Sequence, residues 1–121
     1  MNFDLSEEQQ LLKDSVERFV NDNYDLDTRQ SLSKNDAGFS DTYWQTMAEL
    51  GWLGVTIPEA QGGFGGNQAD TMVLMEAFGK GLVLEPFFAS AILGTRAIVA
   101  GGSSELQAKL LPDMVSGSCR L

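Results

Sequence analysis

The sequence predicts an all-α protein, an up-and-down bundle of five to six helices with no sheet, and three observations carry that prediction. Apolar residues recur at helical rather than alternating spacing, capping side chains precede the periodic stretches, and glycine or proline closes them. The length of 121 residues fits a single domain over 1–121. A chain of this size buries roughly two thirds of the surface its unfolded form exposes.

Ser6 and Gln9 have capping-box spacing, and Leu12, Val16, Phe19 and Val20 follow on one helical face, which predicts a first helix from about 6 to 22. Asp25 to Ser33 is polar apart from Leu26 and Leu32 and is compatible with a short second helix; Asn35-Asp-Ala-Gly38 reads as a turn. Ser40 can cap a helix carrying Tyr43, Trp44, Met47 and Leu50, with Gly51 as its left-handed stop. Gly51 to Pro58 is apolar but short and glycine-broken, and is expected to be a buried extended linker.

Asn67 or Gln68 opens the next helix, apolar nearly all round through Ala69, Met72, Val73, Leu74, Met75, Ala77 and Phe78, as suits the centre of a bundle. Pro86 suits the first turn of a following helix that runs to about Ala100, where Gly101 and Gly102 stop it. Ser104 and Gln107 repeat the capping-box spacing, and Leu106, Leu110 and Leu111 form the inner face of a last helix that Pro112 interrupts. The chain then trails through Ser116 to Leu121.

The net charge of −9, from 17 acidic and 8 basic residues, disfavours nucleic acid, whose phosphates require basic partners. No stretch approaches the ~20 apolar residues of a membrane span, and the start lacks a signal-peptide pattern, so a cytoplasmic protein is the expectation. One cysteine, Cys119, and no histidine leave no disulfide framework, no Cys/His zinc site and no histidine-based triad in this span. No catalytic, cofactor-binding or metal-ligating residue is assigned.

The glycine cluster Gly62-Gly-Phe-Gly-Gly66 invites a phosphate-loop reading, but no Gly-Lys-Ser/Thr follows it and no strand precedes it, so a tight interhelical turn is expected. Gly79-Lys-Gly81 fails in the same way. Glu49, Glu59, Glu76 and Glu85 have no visible partner that would tune a general base and read as solvated or capping carboxylates, with Glu85 placed to meet the first turn of the next helix. Trp44, Trp52, Phe64, Phe87 and Phe88 read as core. Cys119 has no nearby histidine or lysine to activate it.

As a set these segments resemble the N-terminal helical domain of the FAD-dependent acyl-CoA dehydrogenases. The resemblance rests on Phe3-Asp-Leu-Ser-Glu-Glu-Gln9, Leu50-Gly-Trp-Leu-Gly-Val-Thr-Ile-Pro-Glu59, Gly62-Gly-Phe-Gly65 and Met75-Glu-Ala-Phe-Gly79, followed by Gly102-Ser-Ser-Glu-Leu-Gln107 and Leu111-Pro-Asp-Met-Val-Ser-Gly117. Leu84-Glu-Pro-Phe87 further resembles bacterial members, including pimeloyl-CoA dehydrogenase small subunits.

The resemblance implies α,β-desaturation of an acyl-CoA thioester with FAD as hydride acceptor and an electron-transfer flavoprotein as partner. It also implies a homo- or hetero-tetramer. In the family, FAD and the base are held by later domains, so this span is expected to bind no FAD and to be inactive alone. Its share is packing and one wall of the acyl pocket, for which Pro86, Ala89, Ser90 and Leu93 are the candidates because they share i, i+3, i+4, i+7 spacing. In the competing packing reading, Ser90 bonds a carbonyl one turn back. A span lacking the other domains should expose an apolar patch of several hundred Å² and self-associate. Two alternatives stay open: a self-standing helical interaction module, and a non-dehydrogenase flavoenzyme of the same superfamily.

Overall fold

A computed structural model describes residues 2–121, and among them it contains six α-helices, two 3₁₀ turns, one π-helical stretch and no strand. Helix α1 spans Glu7–Asn23, and the capping box forms: Ser6 Oγ accepts from Gln9 N and Gln9 Oε1 from Ser6 N. Val16, Phe19 and Val20 are buried on its inner face. Helix α2 covers Leu26–Ser33, capped by Asp25, whose carboxylate takes the Thr28 N–H at 2.7 Å. Helix α3 covers Asp41–Glu49 with Ser40 as its cap, and Gly51 just beyond it has φ +82°.

The segment from Gly51 to Pro58 is buried but not extended. Trp52–Gly54 forms a 3₁₀ turn, and Val55 and Ile57 pack inward behind it. With several bulky apolar residues to bury in a short connection, curling the backbone lets Trp52, Leu53, Val55 and Ile57 all point into the core, whereas an extended strand would turn alternate side chains outward. A second 3₁₀ turn, Glu59–Gln61, leads into the glycine cluster.

Helix α4, Gln68–Gly81, starts at Asn67, which forms a capping box with Asp70. It lies beside α1 and runs in the same direction: Gln9 reaches Asp70, Glu17 reaches Lys80, and Val20 meets Gly81. The core joins these two helices to Trp44 and Met47 of α3 and to the 3₁₀ turn. Edge-to-face aromatic contacts run from Phe19 to Trp52 (5.4 Å), Trp52 to Phe78 (5.8 Å) and Phe78 to Phe87 (4.9 Å). Each such pair adds about 0.5–1.5 kcal/mol beyond its area. Met72, expected inside, is 55% exposed, so α4 has an outer side.

After α4 the expected single helix from Pro86 divides in two, a π-helical stretch Phe88–Gly94 and α5, Thr95–Gly101. Helix α6 spans Ser104–Val115, and its cap is Ser103, one residue earlier than the spacing suggested; Ser103 Oγ accepts from Leu106 N at 3.2 Å. The Gln107 amide instead donates to the carbonyls of Gly102 and Val99. Pro112 sits inside α6 without ending it, because loss of one N–H in the penultimate turn is tolerated while Ser116 N still bonds Pro112 O. Leu111 and Met114 face inward and form a second small cluster with Ile57, whereas Leu106 is 38% exposed.

The last residues do not trail away. Gly117 O accepts from the Trp44 indole at 3.1 Å, and Arg120 pairs with Asp41 at 2.8 Å while lying over the Phe39 ring.

Candidate functional site

The candidate wall residues lie on the π-helical stretch and just before it. A π-helix bonds i to i+5, so residues four or five apart share a side where an α-helix would align three and four. Ser90 and Thr95 accordingly both turn inward, at 2% and 1% exposure, and Thr95 Oγ1 and N donate to Ser90 O. Phe88 and Leu93, five apart, both turn outward at 52% and 53%. Ala89 is exposed beside them and Pro86 is partly buried.

The stripe Pro86, Ala89, Ser90, Leu93 is therefore divided: Ala89 and Leu93 remain on the surface, and Ser90 leaves it. The Ser90 hydroxyl does not bond a carbonyl one turn back either. Its Oγ accepts the Leu121 N–H at 3.2 Å. What remains outward is an apolar helical face of Phe88, Ala89 and Leu93. Phe88 and Phe64, at 52% and 58% exposure, are not core, while Trp44, Trp52 and Phe87 are.

The launch of this stretch is fixed by a buried carboxylate. Glu85 is 4% exposed; Oε1 accepts the Tyr24 hydroxyl and Oε2 the Ser40 N–H at 3.0 Å. The Tyr24 hydroxyl oxygen in turn accepts the Leu84 N–H at 3.3 Å. Glu85 is thus neither solvated nor directed to the helix that follows it. Burial raises its pKa above the ordinary 4.5, outweighing the Tyr24 hydroxyl and the Ser40 N–H, which favour the charged form. Burial together with the neighbouring carboxylate also pushes the Tyr24 phenol up.

Sequence reasoning missed Tyr24 and the inward role of Glu85. The available signal was an acid flanked by Val83, Leu84, Phe87 and Phe88, since a carboxylate in so apolar a run must find donors. Asp70, also buried, was missed as well; it accepts from Gln9 Nε2 at 3.2 Å and from Asn67 N at 2.8 Å.

The glycine cluster is a turn, as expected. Gly63, Phe64, Gly65 and Gly66 donate their N–H groups to the carbonyls of Pro58, Gly54, Ile57 and Val55, at 2.7–3.1 Å. None of these donors is left to cradle a phosphate. Beside the turn a cleft of about 280 Å³ is lined by Thr56, Gln68, Thr95, Arg96 and Val99, with Arg96 its one cation. Cys119 packs against the Ile57, Leu111 and Met114 cluster. Among the described residues no group of three potential metal ligands assembles, and no helix is long and apolar enough to cross a membrane.

Comparison with known proteins places these observations in a family. The model for the acyl-CoA dehydrogenase N-terminal domain matches residues 6–118. Acyl-CoA dehydrogenase IpdE2 of Mycolicibacterium smegmatis is 28% identical over 104 residues, which are 85% of this chain and 33% of that protein. Glutaryl-CoA dehydrogenase of Desulfococcus multivorans is 32% identical over 120 residues, 96% of this chain and 31% of the relative.

Among solved structures, the ChsE4–ChsE5 complex from Mycobacterium tuberculosis superposes with a TM-score of 0.89 at 28% identity, over 99% of this chain and 33% of that one. A glutaryl-CoA dehydrogenase bound to glutaryl-CoA gives 0.76 at 29% identity, over 98% and 31%. The chain spans about a third of the length of each of these proteins. The match from 6 to 118 takes in every helix from α1 to α6, and the chain belongs to the acyl-CoA dehydrogenase family through its N-terminal domain.

Proposed function

We propose that this chain is the N-terminal helical domain of an acyl-CoA dehydrogenase that α,β-desaturates acyl-CoA thioesters, and that the outward face of Phe88–Gly94 forms one wall of its acyl-chain cavity. The observation that carries the proposal is the pairing of a family match across all six helices with an apolar, outward-facing π-helical surface at Phe88, Ala89 and Leu93. A wall of this composition excludes water from an alkyl tail and offers it no hydrogen bond. Ser90, whose hydroxyl is occupied by the Leu121 amide, sits behind the wall as a packing residue.

FAD is the hydride acceptor the family implies, and the residues of this chain do not fit a flavin site. The glycine N–H groups are spent on carbonyls, and the neighbouring cleft, lined by Thr56, Asn67, Gln68 and Thr95, sets the single cation Arg96 against the two negative charges of a pyrophosphate. Flavin binding and proton abstraction therefore fall to other parts of the enzyme, and this domain positions and encloses the acyl chain. The two-component complex among its structural relatives supports an enzyme built from more than one chain, and a homo- or hetero-tetramer is the assembly we propose. An electron-transfer flavoprotein as acceptor and a bacterial cytoplasm as compartment complete the reading.

The test is anaerobic titration of the intact enzyme with straight-chain acyl-CoA thioesters. The flavin's visible absorbance should bleach and should return when oxidised electron-transfer flavoprotein is added. A flavin that dithionite reduces but no acyl-CoA bleaches would overturn the proposal.

A further inference from the structure

We propose that Glu85 is a positioning residue for the acyl-chain wall, setting where the π-helical stretch begins relative to α1 and α3 and thereby the acyl length the enzyme prefers. The inference rests on the function proposed above and adds a residue outside the wall itself.

One buried side chain holds three separate elements at the point where the wall starts. Its Oε1 takes the hydroxyl of Tyr24, the residue that caps the C-terminus of α1. Its Oε2 takes the backbone N–H of Ser40, the cap of α3, at 3.0 Å. The same Tyr24 hydroxyl oxygen completes the link by accepting the N–H of Leu84, the residue before Glu85. Pro86 and Phe87 follow at once, Phe87 at 2% exposure against Phe78, and the π-helical stretch begins at Phe88.

Among the described residues no cation pairs with this carboxylate. The three salt bridges among the described residues are Lys80 with Glu17, Lys80 with Glu76 and Arg120 with Asp41, all at the surface. Leucine or methionine at position 85 would avoid desolvating a charge but would leave the Tyr24 hydroxyl and the Ser40 N–H without their acceptor, so the carboxylate is tied to the two donors it serves. A carboxylate has two acceptors at fixed spacing, and satisfying both donors admits one position of the Leu84–Pro86 backbone. That is the registry role for which buried polar groups are best attested. A shift of the launch point carries Ala89 and Leu93 with it, because the stretch they sit on is continuous from Phe88.

The experiment uses the intact enzyme and a series of straight-chain saturated acyl-CoA thioesters, with Glu85→Gln, Tyr24→Phe and the double variant. Each single variant should change the ratio of kcat/KM between the longest and shortest accepted chains by about threefold or more, below the roughly tenfold that one methylene can command in an apolar pocket. The change should lie in KM. The double variant should shift the ratio no further than either single one, because both substitutions cut the same link.

A uniform loss across chain lengths, an unchanged ratio, or additive shifts in the double variant would each overturn the proposal. If Glu85→Gln does not fold, Tyr24→Phe, which removes one oxygen, gives the same reading. A wild-type enzyme that dehydrogenates no acyl-CoA removes the functional reading and this inference together. An active enzyme with an unshifted profile removes the inference alone.

Discussion

Glu85 shows what a single residue contributes here and how it is to be measured. Its carboxyl pKa is raised in the fold, so the fold holds the proton more readily than the unfolded chain does. The stability this group contributes is present below the unfolded value of 4.5 and is lost as pH rises through the folded-state value. Glutamine does not titrate. In urea unfolding followed by the fluorescence of Trp44 and Trp52, both buried, the stability of wild type minus that of Glu85→Gln should fall as pH rises from below 4.5 toward neutrality. A difference that is flat or grows with pH would contradict the assignment. The residue was visible in the sequence as an acid before a proline. Its partners were not, because Tyr24 and Ser40 lie 61 and 45 positions away and no local pattern encodes such a pairing.

At the scale of elements, local signals were read where local physics decides. The capping box at Ser6, the caps at Ser40 and Asn67 and the stop after α3 depend on side chains within a few residues of the helix end. The linker after Gly51, the π-helical stretch and the persistence of α6 past Pro112 depend on packing, and there periodicity alone misjudged the backbone. The stripe through Ser90 failed for that reason: an α-helical wheel was applied to a stretch bonded i to i+5.

The glycine turn is a case where local and tertiary signals agree, and it gives a paired prediction. A Cβ at Gly63 would run into the Ile57 carbonyl, whereas one at Gly79, on α4, would meet nothing within 4 Å. Gly63→Ala should destabilise by about 2 kcal/mol through forced backbone movement. Gly79→Ala should stabilise by about 0.5–1 kcal/mol by removing a flexible residue from a helix interior. Urea midpoints that move the same way for both would refute this account of the turn.

Across the whole molecule, one main core and one satellite cluster hold six helices together, and Phe88, Leu93 and Val99 remain exposed along the segment from the π-helix into α5. Fold class and family were legible throughout the chain, because they rest on the order of many weak local motifs. The segment proposed as the wall was marked in the sequence only by spacing, and which of its residues face outward had to come from the structure. The measurement that bears most directly on the central claim is the chain-length profile of kcat/KM for Leu93→Trp in the intact enzyme. The account predicts that the optimum moves to shorter acyl chains with the domain still folded. A profile identical to wild type in a folded variant would contradict it.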